Sequence, residues 1–366
     1  MGNGTNPWGR CGVPQYRAFL LALCLIVFCA VSIAGFNGST SSASAFDLES
    51  QYAGTNDNPN TKQAQFLREF SGPQDVVKGL PPVVDRSMDI LFGHADPKPP
   101  GEKMSRPYSV TTDSTHRIFV TDPSEGLVHI FDFEKAKYSF LGGPGSQLRQ
   151  PVGVAVDEDD NAYVTDGVLG VILVYAPNGK FLRYLGKVGG DEPYFASPSG
   201  IAIDPEAHHI YVCDPPRHMV ILLDKQGHVL GHFGKRRGGK EPGEFRLPTR
   251  ISIFGREVVV LDSGNSRLEI LDLDGQYRRE IKIPELSMET GLAIDRQRKI
   301  YVGNLTLDAI DVFALDGKFL YRFGTLGSGP GEFNRPCGIW VDSQSRLYVT
   351  DMRNERVEMF QLLGQL

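Results

Sequence analysis

Cysteine is scarce in this sequence and unevenly placed: Cys11, Cys24 and Cys29 fall within the first 45 residues, which leaves Cys213 and Cys337 for everything that follows. Two thiols supply neither a disulfide framework nor the Cys/His set of a zinc module. Other signatures are missing too. There is no Gly-x-Ser-x-Gly nucleophile elbow, no phosphate-binding Gly-rich loop and no Cys-x-x-Cys-His for haem attachment, so the chemistries that depend on them have no foothold. Long apolar runs are equally rare, with one from Ala18 to Ala34.

Residues 1–45 also lack Asp and Glu, and carry Arg10 and Arg17 just before that apolar run. A positive flank followed by an apolar stretch reads as a targeting or anchor segment. As a helix the run rises about 25 Å, at the lower limit for crossing a hydrocarbon core. Ala43-Ser44-Ala45 has the small-x-small form of a cleavage site, but it lies well beyond Ala34. Retention as an anchor and removal as a signal both stay open; either way the positive flank stays inside and the remainder is expected outside the cytoplasm, in the cell envelope. Cys24 and Cys29 follow Leu23 and Phe28, where a lipoprotein needs a small residue. The remainder holds all 44 acidic residues and all but two of the 38 basic ones, a net acidic balance that argues against a nucleic-acid binder. Residues 46–84 read as a linker.

What the sequence has is Gly, Pro and repetition. Its 41 glycines and 24 prolines, among short runs of Val, Ile, Phe and Tyr, point to many turns between short strands. Six copies of one frame follow. The last is the clearest: Phe319-Leu-Tyr-Arg-Phe-Gly324, a Gly/Pro loop ending Pro330-Gly-Glu-Phe333, Arg335-Pro-Cys-Gly-Ile-Trp-Val-Asp342, Arg346-Leu-Tyr-Val-Thr-Asp351 and Arg356-Val-Glu-Met-Phe360. The equivalent residues Pro107, Pro151, Pro198, Pro248, Glu289 and Pro336 recur every 41 to 50 residues, the spacing of four-stranded propeller blades. Asn178-Gly179, Gln226-Gly227, Asp274-Gly275 and Asp316-Gly317 mark hairpins ahead of each outer strand. Because the sixth copy ends without an outer strand, an N-terminal strand is expected to complete it and join the ring, and Met88-Asp-Ile-Leu-Phe-Gly93 has the matching form. The fold class is therefore all-β, a six-bladed propeller over residues 85–366 behind an N-terminal hydrophobic helix. Cys213 and Cys337 fall in the third and sixth blades, too far apart to bridge, and read as small buried residues.

The frame Pro-x-Gly-Ile-x-Val-Asp, Leu-Tyr-Val-Thr-Asp, Arg-Val-x-x-Phe and Gly-Ser-Gly-Pro-Gly-Glu-Phe resembles the NHL repeat. Phe70-Ser-Gly-Pro-Gln-Asp75 with Pro81-Pro82 also resembles a group of exported bacterial NHL-repeat proteins. The resemblance implies a closed propeller whose loops bind a partner. NHL propellers of animal regulatory proteins use a basic face for RNA, often downstream of a RING, but no such module occurs here. Similar propellers also carry lyases and lactonase-type hydrolases with Zn²⁺ or Ca²⁺ held by His, Glu, Asn and Asp in the central channel.

Two sets of residues stand out. Asp122, Asp166, Asp214, Asp262, Asn304 and Asp351 close the second strands; their recurrence once per blade fits a structural turn device better than a metal ring. Lys235, Arg236, Arg237, Lys240, Arg246 and Arg250 form a basic cluster in the loop entering the fourth blade, a candidate contact for a partner. The positions after the anchoring residue are Tyr108, Val152, Ser199, Thr249, Thr290 and Cys337, with no His or Glu among them, and the eight histidines show no converging pattern. The expectation is a scaffold for protein or peptide in the cell envelope, without catalytic residues, metal or cofactor; a metal-dependent lyase or lactonase-type hydrolase in the central channel is the alternative.

Overall fold

In each copy the first three strands hold branched and aromatic residues in alternation, with Gly or Asx turns between, so each copy folds on itself as an antiparallel meander. The computed structural model describes residues 63–77, 101–186, 194–283 and 291–364. Six four-stranded antiparallel sheets result. The second blade is typical: Pro151–Val156, Ala162–Asp166, Val171–Tyr175 and Phe181–Leu185. Its two middle strands are wholly buried, while Phe181–Leu185 is exposed at Leu182 and Arg183 and buried only at Leu185. Gly179 supplies the left-handed backbone of the last hairpin at φ +85°.

The first strands of consecutive blades touch one another in a closed circuit: Ser109–Thr112, Pro151–Val156, Ile201–Asp204, Pro248–Phe254, Leu292–Ile294, Pro336–Val341 and back. The circuit makes the molecule a propeller with an axial channel lined by these strands. No single blade has a core of its own. Each cluster of buried side chains straddles two neighbours, as where Val128 and Leu141 of the first blade meet Val154 and Leu173 of the second.

Ring closure uses a strand from an unexpected place. Ala64–Phe70, within the segment read as linker, pairs antiparallel with Arg356–Leu362 and becomes the fourth strand of the sixth blade. Met88–Gly93 lies outside the described residues, as do the hydrophobic segment Ala18–Ala34 and Pro81-Pro82. Phe66 packs edge-on against Phe360 with ring centroids 5.7 Å apart, and Phe70 meets Phe131 and Phe133 of the first blade at 4.7 and 5.2 Å. Just beyond the strand, Asp75 accepts from the Ser71 and Gly72 amides, and Met104 donates its amide to the Ser71 carbonyl. Thus Ala64–Phe70 extends one blade and seals the seam to the next.

Between blades, recurring threonines act as stitches. Thr165 accepts from the Gly153 amide of its own blade at 2.7 Å and donates to the Ser199 carbonyl of the next at 2.8 Å. Thr121 does the same with Ser109 and Val152. The close approach this needs is why the repeat carries glycine after Pro-x. A Cβ on Gly200 would sit 2.7 Å from the Thr249 carbonyl oxygen, and one on Gly338 would sit 2.7 Å from that of Tyr108.

Candidate functional site

Each acid closing a second strand accepts from at least one backbone amide, and Asp262 and Asp351 also accept from Asn and Arg side chains of their own blades. Asp166 accepts from the amides of Arg149 and Gln150, which lead into its own blade, at 2.6 and 3.0 Å, and from Val168 and Leu169 in the following turn at 3.1 and 2.9 Å. Asp122 does the same with Ser105, Arg106, Ser124 and Glu125. Asp214 takes Ala196 and Ser197, Asp262 takes Arg246, and Asp351 takes Asn334. Asn304 accepts from Thr306 and Leu307, and its amide donates to Asp311 at 3.0 Å. Among the described residues no three His, Cys, Asp or Glu side chains group as metal ligands. Burial would raise the Asp122 carboxyl, but His129 and the Ser105 and Arg106 amides hold it below its usual range.

The loop entering the fourth blade is held from beneath. Arg267, nearly buried, donates to the carbonyls of Lys240, Glu241 and Glu244 and pairs with Asp262 at 3.0 Å and Glu280 at 2.7 Å. Asn265 donates to the Gly239 carbonyl, Glu269 accepts from the Gly243 amide, and Phe245 is buried as an anchor. The sixth blade repeats this apparatus with Arg356, Asn354, Glu358 and Phe333 under Gly327–Glu332. Burial pushes the Glu269 carboxyl up to about 7 and that of Glu358 up to about 8, against the opposing pull of the adjacent arginines. On the outer surface of the loop, Arg236, Arg237 and Lys240 are exposed, and Lys235 pairs with Glu244. Arg246 is exposed as well, its carbonyl taken by the Gly264 amide.

Arg250 does not join them. It lies on the first strand, 7% exposed, and its guanidinium sits 4.5 Å over the Tyr108 ring of the first blade, which stands opposite in the ring. The sequence cluster therefore divides into five loop cations and one axial one. Beside it, burial pushes the Cys213 thiol up while Arg250 opposes the shift. The Arg250–Tyr108 pair lies between two spaces. On one side is a depression of about 490 Å³ lined by residues that include Arg106, Gln150, Ser197 and Thr249; on the other, an axial cavity of about 150 Å³ between the first strands. His129 is buried on the third strand of the first blade, with Nδ1 2.7 Å from the Tyr138 hydroxyl.

Comparison with known proteins agrees with this architecture. A family described as 6-bladed beta-propeller matches residues 289–365. Protein brain tumor of Drosophila melanogaster is 26% identical over 161 residues, covering 41% of this chain and 15% of that protein. NHL repeat-containing protein 3 of Mus musculus is 26% identical over 196 residues, covering 52% and 44%. The chain thus spans less than half the length of these curated relatives. The structure of virginiamycin B lyase from Staphylococcus aureus is similar with a TM-score of 0.53 and 12% identity, covering 70% of this chain and 95% of that one. At that identity the likeness is one of fold. The chain is an all-β six-bladed propeller with NHL-repeat relatives.

Proposed function

We propose that the propeller is a non-catalytic scaffold, held in or released into the cell envelope by its N-terminal segment, and that it presents the loop entering the fourth blade to an acidic stretch of a protein or peptide. The observation that carries this reading is the contrast within residues 235–246. The backbone is tied down by the buried Arg267 and Asn265, while Arg236, Arg237 and Lys240 point their charge outward. A loop ordered before binding loses little conformational entropy on contact, and clustered cations speed encounter with an acidic surface.

The test is affinity capture from detergent-solubilised envelope with the wild-type propeller and with the triple variant Arg236→Ala, Arg237→Ala, Lys240→Ala. The captured protein should fall at least several-fold for the variant at low salt, with unchanged melting, and the gap between the two proteins should narrow as salt weakens capture by the wild type. Equal capture by both proteins removes the loop from the account.

A further inference from the structure

The repeat puts glycine two residues after the anchoring position because the neighbouring first strand leaves no room. Gly153, Gly200, Gly291 and Gly338 all have backbone of the next blade where a Cβ would go, Gly200 against Thr249 and Arg250 themselves and Gly338 against Tyr108 and Ser109. The first copy has Ser109 there. The fourth has Arg250, a large cation at a position that is glycine in four of the six blades. Its strand pairing also changes: the ladder resumes at Arg250 opposite Leu261, whereas in the second and sixth blades it resumes one position later, at Val154 and Ile339.

The side chain reaches into the axis. Its Nε, Nη1 and Nη2 atoms are all buried, and none has a hydrogen-bond partner among the described residues. Tyr108 covers one face of the guanidinium through a cation–π contact and leaves the in-plane N–H fork unengaged. A desolvated guanidinium without an acceptor is strongly unfavourable, so a fold that keeps one points to an anion that completes it. The axial cavity supplies the space. Among the described residues lining it, Arg250 alone is charged; aliphatic residues such as Val154, Ile201, Ile251 and Ile339 share the wall with Ser109, Thr111, Thr112 and Ser252, so the lining is mixed. Exposure rises toward Thr112, Val156, Ile203, Ile253 and Trp340, so the cavity opens where the first strands end and has Arg250 at its deep end.

From this geometry we infer that the propeller axis is a binding site for a short-chain monocarboxylate, with Arg250 as its anion receptor. One positive charge matches one negative charge, the planar fork matches a carboxylate in two parallel bonds, and a cavity of about 150 Å³ with a partly aliphatic wall limits the remainder of the ligand to a few carbons. The inference stands apart from the loop reading, because it uses a buried axial residue and none of the exposed loop cations.

Butyrate is the probe, titrated calorimetrically into the full chain in a buffer without carboxylates, with butyramide as its neutral counterpart. Butyrate should bind once per chain and raise the melting temperature, and butyramide should bind at least about tenfold more weakly, the weight of one charged hydrogen-bonded pair. Arg250→Met should lose butyrate binding by a similar factor, while the Arg236/Arg237/Lys240 triple variant should keep it. 3-Bromopropionate should quench tryptophan fluorescence in the wild type and lose that quenching in Trp340→Phe. Equal binding of butyrate and butyramide, undiminished butyrate binding in Arg250→Met, or no heat with butyrate at millimolar concentration would each overturn the inference. The ligand comparison needs no variant, so it decides even if Arg250→Met does not fold.

Discussion

Closing the ring with Ala64–Phe70 makes one aromatic side chain bear an unusual share of the seam. Phe70 is 1% exposed and its ring lies against Phe131 and Phe133 of the first blade, while Val357 and Tyr348 of the sixth belong to the same cluster. Phe70→Ala removes that contact and leaves a cavity between blades, a change that costs about 3–5 kcal/mol in well-packed cores. At about 2–4 °C per kcal/mol for a domain of this order, melting should drop on the order of 6–20 °C. Far-ultraviolet circular dichroism in heat and urea ramps reads both quantities. Leu67, on the same strand but 41% exposed, is the internal control; Leu67→Ala should stay within about 0.5 kcal/mol of wild type. A shift below about 2 °C for Phe70→Ala would refute the closure. If substitutions in Met88–Gly93 were costly instead, that segment would hold the closing position.

Two further outcomes follow from the blade interiors. Asp166→Ala leaves the amides of Arg149, Gln150, Val168 and Leu169 without their carboxylate, and denaturant unfolding should register a loss of about 3 kcal/mol or more; a loss under about 1 kcal/mol would deny the structural role. Glu358 has its carboxyl raised to about 8 from an ordinary 4.5, so the folded protein holds a proton there that the unfolded chain releases. Its contribution is greatest below the unfolded value and declines as pH climbs from there to about 8. Melting followed between pH 5 and 9 should show this decline, and Glu358→Gln should flatten that part of the curve; an identical slope in the variant would rule it out.

How much of this was legible in the sequence depends on whether a residue repeats. The blades were legible because Tyr-Val-Thr-Asp and Pro-x-Gly recur with their chemistry intact. In the structure Thr165 and Thr121 stitch neighbours, and each second-strand acid accepts from the amide of the segment that leads into its own blade. Ala64–Phe70 was not legible, for a physical reason. Only its two ends are buried, and a register shift between Phe66 and Arg68 breaks the two-residue alternation, so Ala-Gln-Phe-Leu-Arg-Glu-Phe carries no strand signature. Met88–Gly93 copies the form of Phe319–Gly324 and drew the assignment instead.

Arg250 was seen but placed with the wrong neighbours, since sequence proximity to Arg246 grouped it with a surface loop. The available signal was its position in the frame, where four other blades show glycine forced by an approaching backbone and this one shows a cation. A residue present in every blade is under the demands of the ring. One that replaces such a residue, at a place where replacement is sterically costly, has to be held by something other than the ring. The fourth blade departs from the pattern at Arg250, and at the second-strand stitch it carries Leu261 where the first, second and sixth blades have threonine and the third and fifth have Cys213 and Gly303. Both residues lie beside the axial cavity's deep end, since Leu261 pairs directly with Arg250. Restoring the repeat with Arg250→Gly and Leu261→Thr together should therefore regain a glycine seam and its stitch, giving a propeller that melts no lower than wild type but has lost its axial charge.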